Sequence, residues 1–465
     1  MKNPIPPAPR LQGTVFASAT LLAVVLTVVP ILGPPPTFAQ DPGEGQEEAT
    51  GDTQTLVLTK DTRSLIRLAF PETSYDPSLT GEALESAREI EQTLRSDLEQ
   101  SFVFNVQGPT ELSVLALTGV RERDFELYRS LGNEVVLLTE VRQEAGKLVL
   151  DGWIYDLPSQ QSVLGKRFRG TLDQPRQIAH YLADAAYFQF TGRPSIFLTT
   201  IVFQSDRSGR QELYLMDYDG HNQRRISGHR STTGYADWSP TGDAIAYMSY
   251  YTGSPGIYYV DVATGEKVPV YRDGPLNLSP SFSPDGERIA FASAQRGSNV
   301  DLFVCPRSCN QPRRLTTSGA IDTNPAWSPD GTRIAFTSSR SGRPNVYVMD
   351  ADGSGVRRIS FDGDYNEGAS WRPDGSHLVY ASRQRGYKFQ IAATDLVDLE
   401  TRILTSGPDS YEEPTFAPDG RRIAFTVRRG GGSQIFVMNA DGTDWRQLTH
   451  EGKSSAPDWS AFPQK

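Results

Sequence analysis

The residues of this 465-residue chain that could do chemistry are few and scattered. Its histidines are His180, His221, His229, His377 and His450, and none has a partner at metal-ligand spacing. His180 falls beside core positions of a predicted helix and reads as a satisfied histidine; the others fall in loops or at strand starts. Asp217-x-Asp-Gly, Asp350-x-Asp-Gly and Asn439-x-Asp-Gly open like calcium loops. The twelfth position of the second is Phe361, where such a loop needs a bidentate Glu, so turn chemistry is the better account. Gly430-Gly431-Gly432 opens no helix and precedes no Lys, so it is no phosphate cradle. No Gly-x-Ser-x-Gly elbow occurs, which argues against a serine hydrolase of that type. Cys305 and Cys309 lack the further ligands a zinc site requires. In an oxidising compartment they are expected to form a short-loop disulfide, which trims one loop and does not hold up the fold. The expectation is a binding protein, not an enzyme, with no cofactor and no metal.

Composition narrows the partner. The formal net charge is -10, which argues against a nucleic-acid partner, since that needs a clustered basic face. Residues 1–39 read as a secretory signal peptide: Lys2 and Arg10 are basic, residues 13–33 are uncharged, and Thr37-Phe38-Ala39 offers a cleavage site. After its removal no segment is apolar enough to span a bilayer. Residues 40–52 are acidic and polar, and are expected to be a flexible tail.

The elements fall into two groups. Residues 53–194 mix strand and helix patterns. Leu56-Val57-Leu58 and Leu65-Ile66-Arg67-Leu68 read as strands. Thr80 is a predicted N-cap for a helix with Leu84, Ala87, Ile90, Leu94 and Leu98 on one face. A short helix is expected over 122–131, ended by Gly132, and a buried strand at Val135-Val136-Leu137-Leu138. Residues 148–154 and 162–170 are expected to pair as a hairpin. A last helix opens at Pro175, presents Ile178, Leu182, Ala185 and Phe188 inward, and stops at Gly192. This predicts an N-terminal α/β domain.

Residues 195–465 are dominated by a repeat. An aromatic, a small or polar residue and then usually Pro-Asp-Gly recur at Trp238, Phe282, Trp327, Trp371, Phe416 and, truncated, Trp459. The aromatics lie 44, 45, 44, 45 and 43 residues apart. A period near 40–45 residues filled with strand pattern signifies a β-propeller. In the third copy the strands are expected at 325–328, 333–338, 345–350 and 356–359. The segment from Ile201 to Ser227 has strands two to four but no aromatic phrase before it. The chain ends with the missing piece, Pro457-Asp458-Trp459-Ser460. The fold class expected is therefore an α/β domain followed by an all-β six-bladed propeller closed by the C-terminal strand.

At this point the chain resembles the TolB family, periplasmic propeller proteins of the bacterial Tol–Pal system. The resemblance rests on Ser96-Asp97-Leu98 to Phe104, on Leu131-Gly132-Asn133-Glu134-Val135, on Phe190-Thr191-Gly192 followed by Thr199-Thr200-Ile201, and most closely on Met216-Asp217-Tyr218-Asp219-Gly220-His221-Asn222-Gln223. One departure stands out. Family members begin just after the leader with a short segment that docks on an inner-membrane partner, whereas here the acidic stretch precedes Leu56.

Just before each first strand lie variable pairs: Gly234-Tyr235, Asn277-Leu278, Thr323-Asn324, Asn366-Glu367, Glu412-Glu413 and Ser454-Ser455. They are expected to be loops that converge on one mouth of the central channel, where loops on a rigid scaffold commonly carry function. The expected partner-binding residues are Tyr235, Leu278, Asn324, Glu367, Glu412 and Glu413. The resemblance implies a monomeric periplasmic adaptor. At this mouth it would bind a peptidoglycan-associated lipoprotein, and its N-terminal side would engage inner-membrane Tol proteins. The alternatives are an exported interaction propeller outside that system, and a sugar-binding or hydrolytic propeller using carboxylates such as Glu367 and Glu412 of neighbouring blades.

Overall fold

The computed structural model describes residues 65–116, 125–228, 231–295, 299–384 and 388–463. The predicted signal peptide, acidic tail and first strand lie outside the described residues. The α/β elements run β1 (Ile66–Ala69), β2 (Ser74–Tyr75), α1 (Gly81–Glu99), β3 (Phe104–Gln107), α2 (Pro109–Ala116), α3 (Phe125–Ser130), β4 (Val135–Glu144), β5 (Lys147–Asp156), β6 (Gln161–Gly170) and α4 (Pro175–Thr191). They form one mixed sheet in the order β3-β1-β4-β5-β6, with β2 added to β4. β1 runs parallel to both neighbours, and the β4–β5 and β5–β6 pairs are antiparallel hairpins.

Alternation along the strands places the helices. Leu68, Val135 and Leu137 share a core with Ala87, Ile90 and Leu94 of α1 and with Ile178, Leu182 and Ala186 of α4. Ala69 and Val136 point to the other face, onto Leu112 of α2 and Tyr128 of α3. Helix α4 rides close on the sheet because β5 has Gly152 beneath it. A Cβ there would stand 2.5 Å from a Leu182 methyl.

One expectation is corrected, one is met in part, and one helix is new. Phe188 is 44% exposed, because the buried stripe of α4 runs through Ala179, Leu182, Ala183 and Ala186, one step round from the expected face. Thr80 occupies the N-cap position of α1 as expected, with extended backbone, although its side chain makes no capping hydrogen bond. Helix α2 is an addition: it is short, and its apolar residues Leu112, Val114, Leu115 and Ala116 are too few to mark a helical stripe.

Six four-stranded sheets follow. The innermost strands of five are Thr233–Trp238, Leu276–Phe282, Asp322–Trp327, Tyr365–Trp371 and Ser410–Phe416; these blades are numbered one to five. The sixth is composite. Ser454–Trp459 pairs with Thr200–Ser205, followed by Glu212–Asp217 and Arg224–Arg225, with Trp459 opposite Ile201 and Ser454 opposite Ser205. Closure completes the sixth blade, and each sheet keeps only a short outer strand at its edge, such as Arg224–Arg225. The recurring aromatics are core residues that join neighbours: Trp371 packs with Ala335, Val346 and Val348 of the preceding blade and donates its indole N–H to the Ala326 carbonyl at 2.9 Å.

The Ser-Pro-Asp-Gly phrase is a turn. In blade three the Gly331 N–H donates to the Ser328 carbonyl at 2.9 Å. Asp330 accepts from the Ser328 hydroxyl and the Thr332 N–H, which holds its carboxyl low, at about 2. Cys305 and Cys309 are joined as a disulfide at the end of a blade-two strand. Among the described residues no helix is long and apolar enough to cross a membrane.

Candidate functional site in the central channel

Each innermost strand carries a bulge. Its register shifts between Gly234 and Asp237, Leu278 and Ser281, Thr323 and Ala326, Glu367 and Ser370, Glu412 and Thr415, and Ser455 and Asp458. At each bulge the residue three before the aromatic has positive φ: Tyr235 (53°), Ser279 (48°), Asn324 (50°), Gly368 (64°), Glu413 (55°) and Ala456 (49°). A bulge re-aims its side chain, and left-handed non-glycine residues are costly conformations that cluster at functional sites. All six line one cavity of about 550 Å³ walled by the innermost strands of every blade.

The expected mouth loops are therefore not loops. They are strand residues at or beside the bulges, because the inner strands begin earlier than the aromatic phrase. Tyr235, Asn324, Glu367, Glu412 and Glu413 reach the channel. Leu278 is absent from the channel lining. It is partly buried and packs against the apolar clusters on either side of its blade.

The channel is acidic and ordered. Arg428 clamps both blade-five glutamates, donating to Glu412 at 2.7 Å and to Glu413 at 3.2 Å. Glu413 also accepts from the Thr426 hydroxyl and from the Ala456 N–H of the closing strand, both at 2.8 Å. Glu367 has no such clamp; burial and then the Glu412 charge push its carboxyl up. Tyr235, 43% exposed, has its hydroxyl pushed up by burial and by the charges of Glu413 and Glu367.

Sequence reasoning missed two aspartates in the channel wall. Asp458 of blade six accepts the Trp238 N–H at 2.9 Å, and Asp237 of blade one accepts the Phe282 N–H at 2.7 Å. Each therefore ties its blade to the next. Burial raises both carboxyls, Asp458 to about 6, and the Asp458 charge raises Asp237 further. A signal was present: the residue before the aromatic is Asp in two of the six copies and Ser, Ala or Thr in the others.

The family model of the TolB beta propeller domain matches residues 187–463. This chain belongs to the TolB propeller family. A protein TolB homolog of Chlorobium luteolum is 31% identical over 385 residues, covering 82% of this chain and 88% of the relative. Another, from Chlorobaculum tepidum, is 32% identical over 266 residues, covering 57% and 59%. The crystal structure of TolB from Acinetobacter baumannii superposes with a TM-score of 0.70 at 24% identity, covering 86% of this chain and 98% of that one.

In this TolB-family chain a second polar cluster sits where the α/β elements meet the propeller. His180 of α4, 3% exposed, pairs through Nδ1 with Asp97 Oδ2 of α1 at 2.7 Å. The other Asp97 oxygen accepts from the Tyr218 hydroxyl, and Arg176 pairs with Asp219. Tyr218 and Asp219 belong to the turn after the blade-six strand Glu212–Asp217. Burial pushes the His180 imidazole down, but Asp97 and Asp219 outweigh it and the net direction is up. Nearby, Arg422 donates to the Gln100 carbonyl and lies 4.7 Å over the Phe102 ring. The joint is thus a packed interface and not a linker.

Proposed function

We propose that this chain is a periplasmic adaptor of the Tol–Pal system that captures a peptidoglycan-associated lipoprotein at the channel mouth. Its N-terminal side engages inner-membrane Tol proteins, and the assembly maintains outer-membrane integrity and constriction at cell division. In this reading residues 1–39 direct export, the α/β domain spans 53–194, the propeller spans 195–465, and the protein acts as a monomer. Membership of the TolB family supports the system. The observation that carries the binding site is the ring of six bulges, which spends backbone strain to present Tyr235, Asn324, Glu367, Glu412 and Glu413 to one cavity.

The reading is one of binding, not catalysis. The channel carboxylates Asp237, Asp458, Glu412 and Glu413 are committed to backbone N–H groups or to Arg428. Tyr235 has the size and exposure of an aromatic anchor. Glu367 would set association rate more than affinity and favours a partner segment that brings a Lys or Arg.

The test is capture of the lipid-free lipoprotein from the same genome on immobilised full-length protein. Tyr235→Ala and Glu367→Lys should each weaken capture roughly tenfold or more. Glu413→Gln keeps an acceptor for the Ala456 N–H while removing the charge, and should weaken capture with the ring still closed. Undiminished capture by all three variants would sink this site.

A further inference from the structure

His180 is buried to 3% exposure, yet its Nε2 has no hydrogen-bond partner. Its ring is fixed from the other side by Asp97, so Nε2 is held pointing at the turn that carries Asp217 and Asp219. The Asp219 Oδ2 atom stands 3.7 Å away, too far for a hydrogen bond. One donor atom from each of His180, Asp217 and Asp219 lies within 4.8 Å of the other two. Ligands of one tetrahedral zinc ion stand about 3.3 Å apart, so a small closure brings the three donors to one ion, with water in the fourth position.

We infer that His180 Nε2, Asp217 and Asp219 form a divalent-metal site of the zinc or manganese class, which fastens the α/β domain to the propeller. One imidazole with two carboxylates suits these ions, whereas calcium and magnesium favour oxygen alone. The surrounding contacts are those that orient ligands. Asp97 on Nδ1 makes the carboxylate–histidine arrangement that fixes the tautomer of a metal-bound imidazole. Asn222 Nδ2 donates to Asp217 at 2.5 Å, and Arg176 holds Asp219. Without an ion the carboxylates of Asp97, Asp217 and Asp219 face Arg176 and the His180 imidazole, whose Nε2 proton a bound dication would replace. The ligands come from α4 and from the end of the blade-six strand Glu212–Asp217 and the turn after it, so the ion ties the α/β domain to the propeller. Sequence spacing could not reveal it, since His180 and the turn lie almost forty residues apart.

The test is calorimetric titration of untagged full-length protein, stripped with a chelator, with ZnCl2, MnCl2 and CaCl2. One saturable site for zinc or manganese is expected, with a Kd below about 10 μM and a raised Tm on saturation. Calcium should bind at least roughly tenfold more weakly. Asp217→Asn, at the outer edge of the cluster, should retain the fold of the stripped protein and lose at least roughly tenfold in affinity. His180→Gln should lose more, and X-ray absorption of the zinc form should report nitrogen and oxygen ligands only. Absence of a saturable site for both transition ions overturns the inference. So does an affinity unchanged by Asp217→Asn, or calcium binding as tight as zinc.

Discussion

Trp459 donates its indole N–H to Oγ1 of Thr199 at 2.8 Å, across 260 residues of sequence. The same tryptophan lies opposite Ile201 in the composite blade and is 6% exposed. The last strand therefore adds a sheet, a core side chain and a buried polar bond at the point where the α/β domain enters the ring. Ser460 extends the seam, accepting the Thr200 N–H on its hydroxyl at 3.1 Å.

Trp459→Ala should destabilise the protein by about 3–5 kcal/mol, the usual cost of emptying a buried tryptophan site. Trp459→Phe should cost less, about 1 kcal/mol for the lost hydrogen bond, since the Thr199 hydroxyl still donates to the Ile196 carbonyl. Urea unfolding of both variants measures the difference. A Trp459→Ala midpoint equal to that of the parent would show that the ring holds without this seam.

Asp458 gives a pH signature. Its folded-state pKa of about 6 lies above the unfolded value near 4, so the folded state binds more protons between those limits. Its contribution to stability is present below about pH 4 and is lost as pH rises toward 6. Asp458→Asn keeps an oxygen for the Trp238 N–H and removes the buried charge. It should raise stability at pH 7.5 by about 1–3 kcal/mol, with the gain vanishing near pH 4. Melting curves at the two pH values decide it. An equal effect at both would assign the change to packing alone.

Gly331 tests how the turns knit adjacent blades. Its φ is 69°, and a Cβ would stand 3.1 Å from the ring of Pro284 in the preceding blade's turn. Gly331→Ala should cost about 1–2 kcal/mol by combining backbone strain with that contact. Gly209, with φ of 91° and open space around it, supplies the control, since Gly209→Ala carries strain alone. Equal losses at the two positions would mean that the Pro284 contact adds nothing.

Much of the architecture was legible because it repeats. A short-range turn phrase recurs at one spacing, and alternation within each copy places the second and third strands, as Arg333–Ser338 and Asn345–Asp350 confirm. The missing first strand near Ile201 and the orphan strand at Trp459 could be matched for the same reason. Helix α2 went unseen and the α4 face was set one step off because local apolarity does not say which side a neighbouring sheet will cover.

The binding surface was only partly legible. Tyr235 and Glu413 were singled out as variable residues, but their left-handed backbone is invisible in sequence because non-glycine residues seldom adopt it. Leu278 was placed with them by position in the repeat, yet its bulge falls at Ser279, and the preceding residue turns between blades.

By itself the sequence determined the repeat, the blade count and the pairing of the chain's end with the strand at Ile201, because these depend on local turns and alternation. Only the tertiary structure decided which side chains face the axis and which charges meet. Asp237 and Asp458, or His180, Asp217 and Asp219, approach one another through ring closure and domain packing. Their energies follow from burial and distance, neither of which residue spacing records.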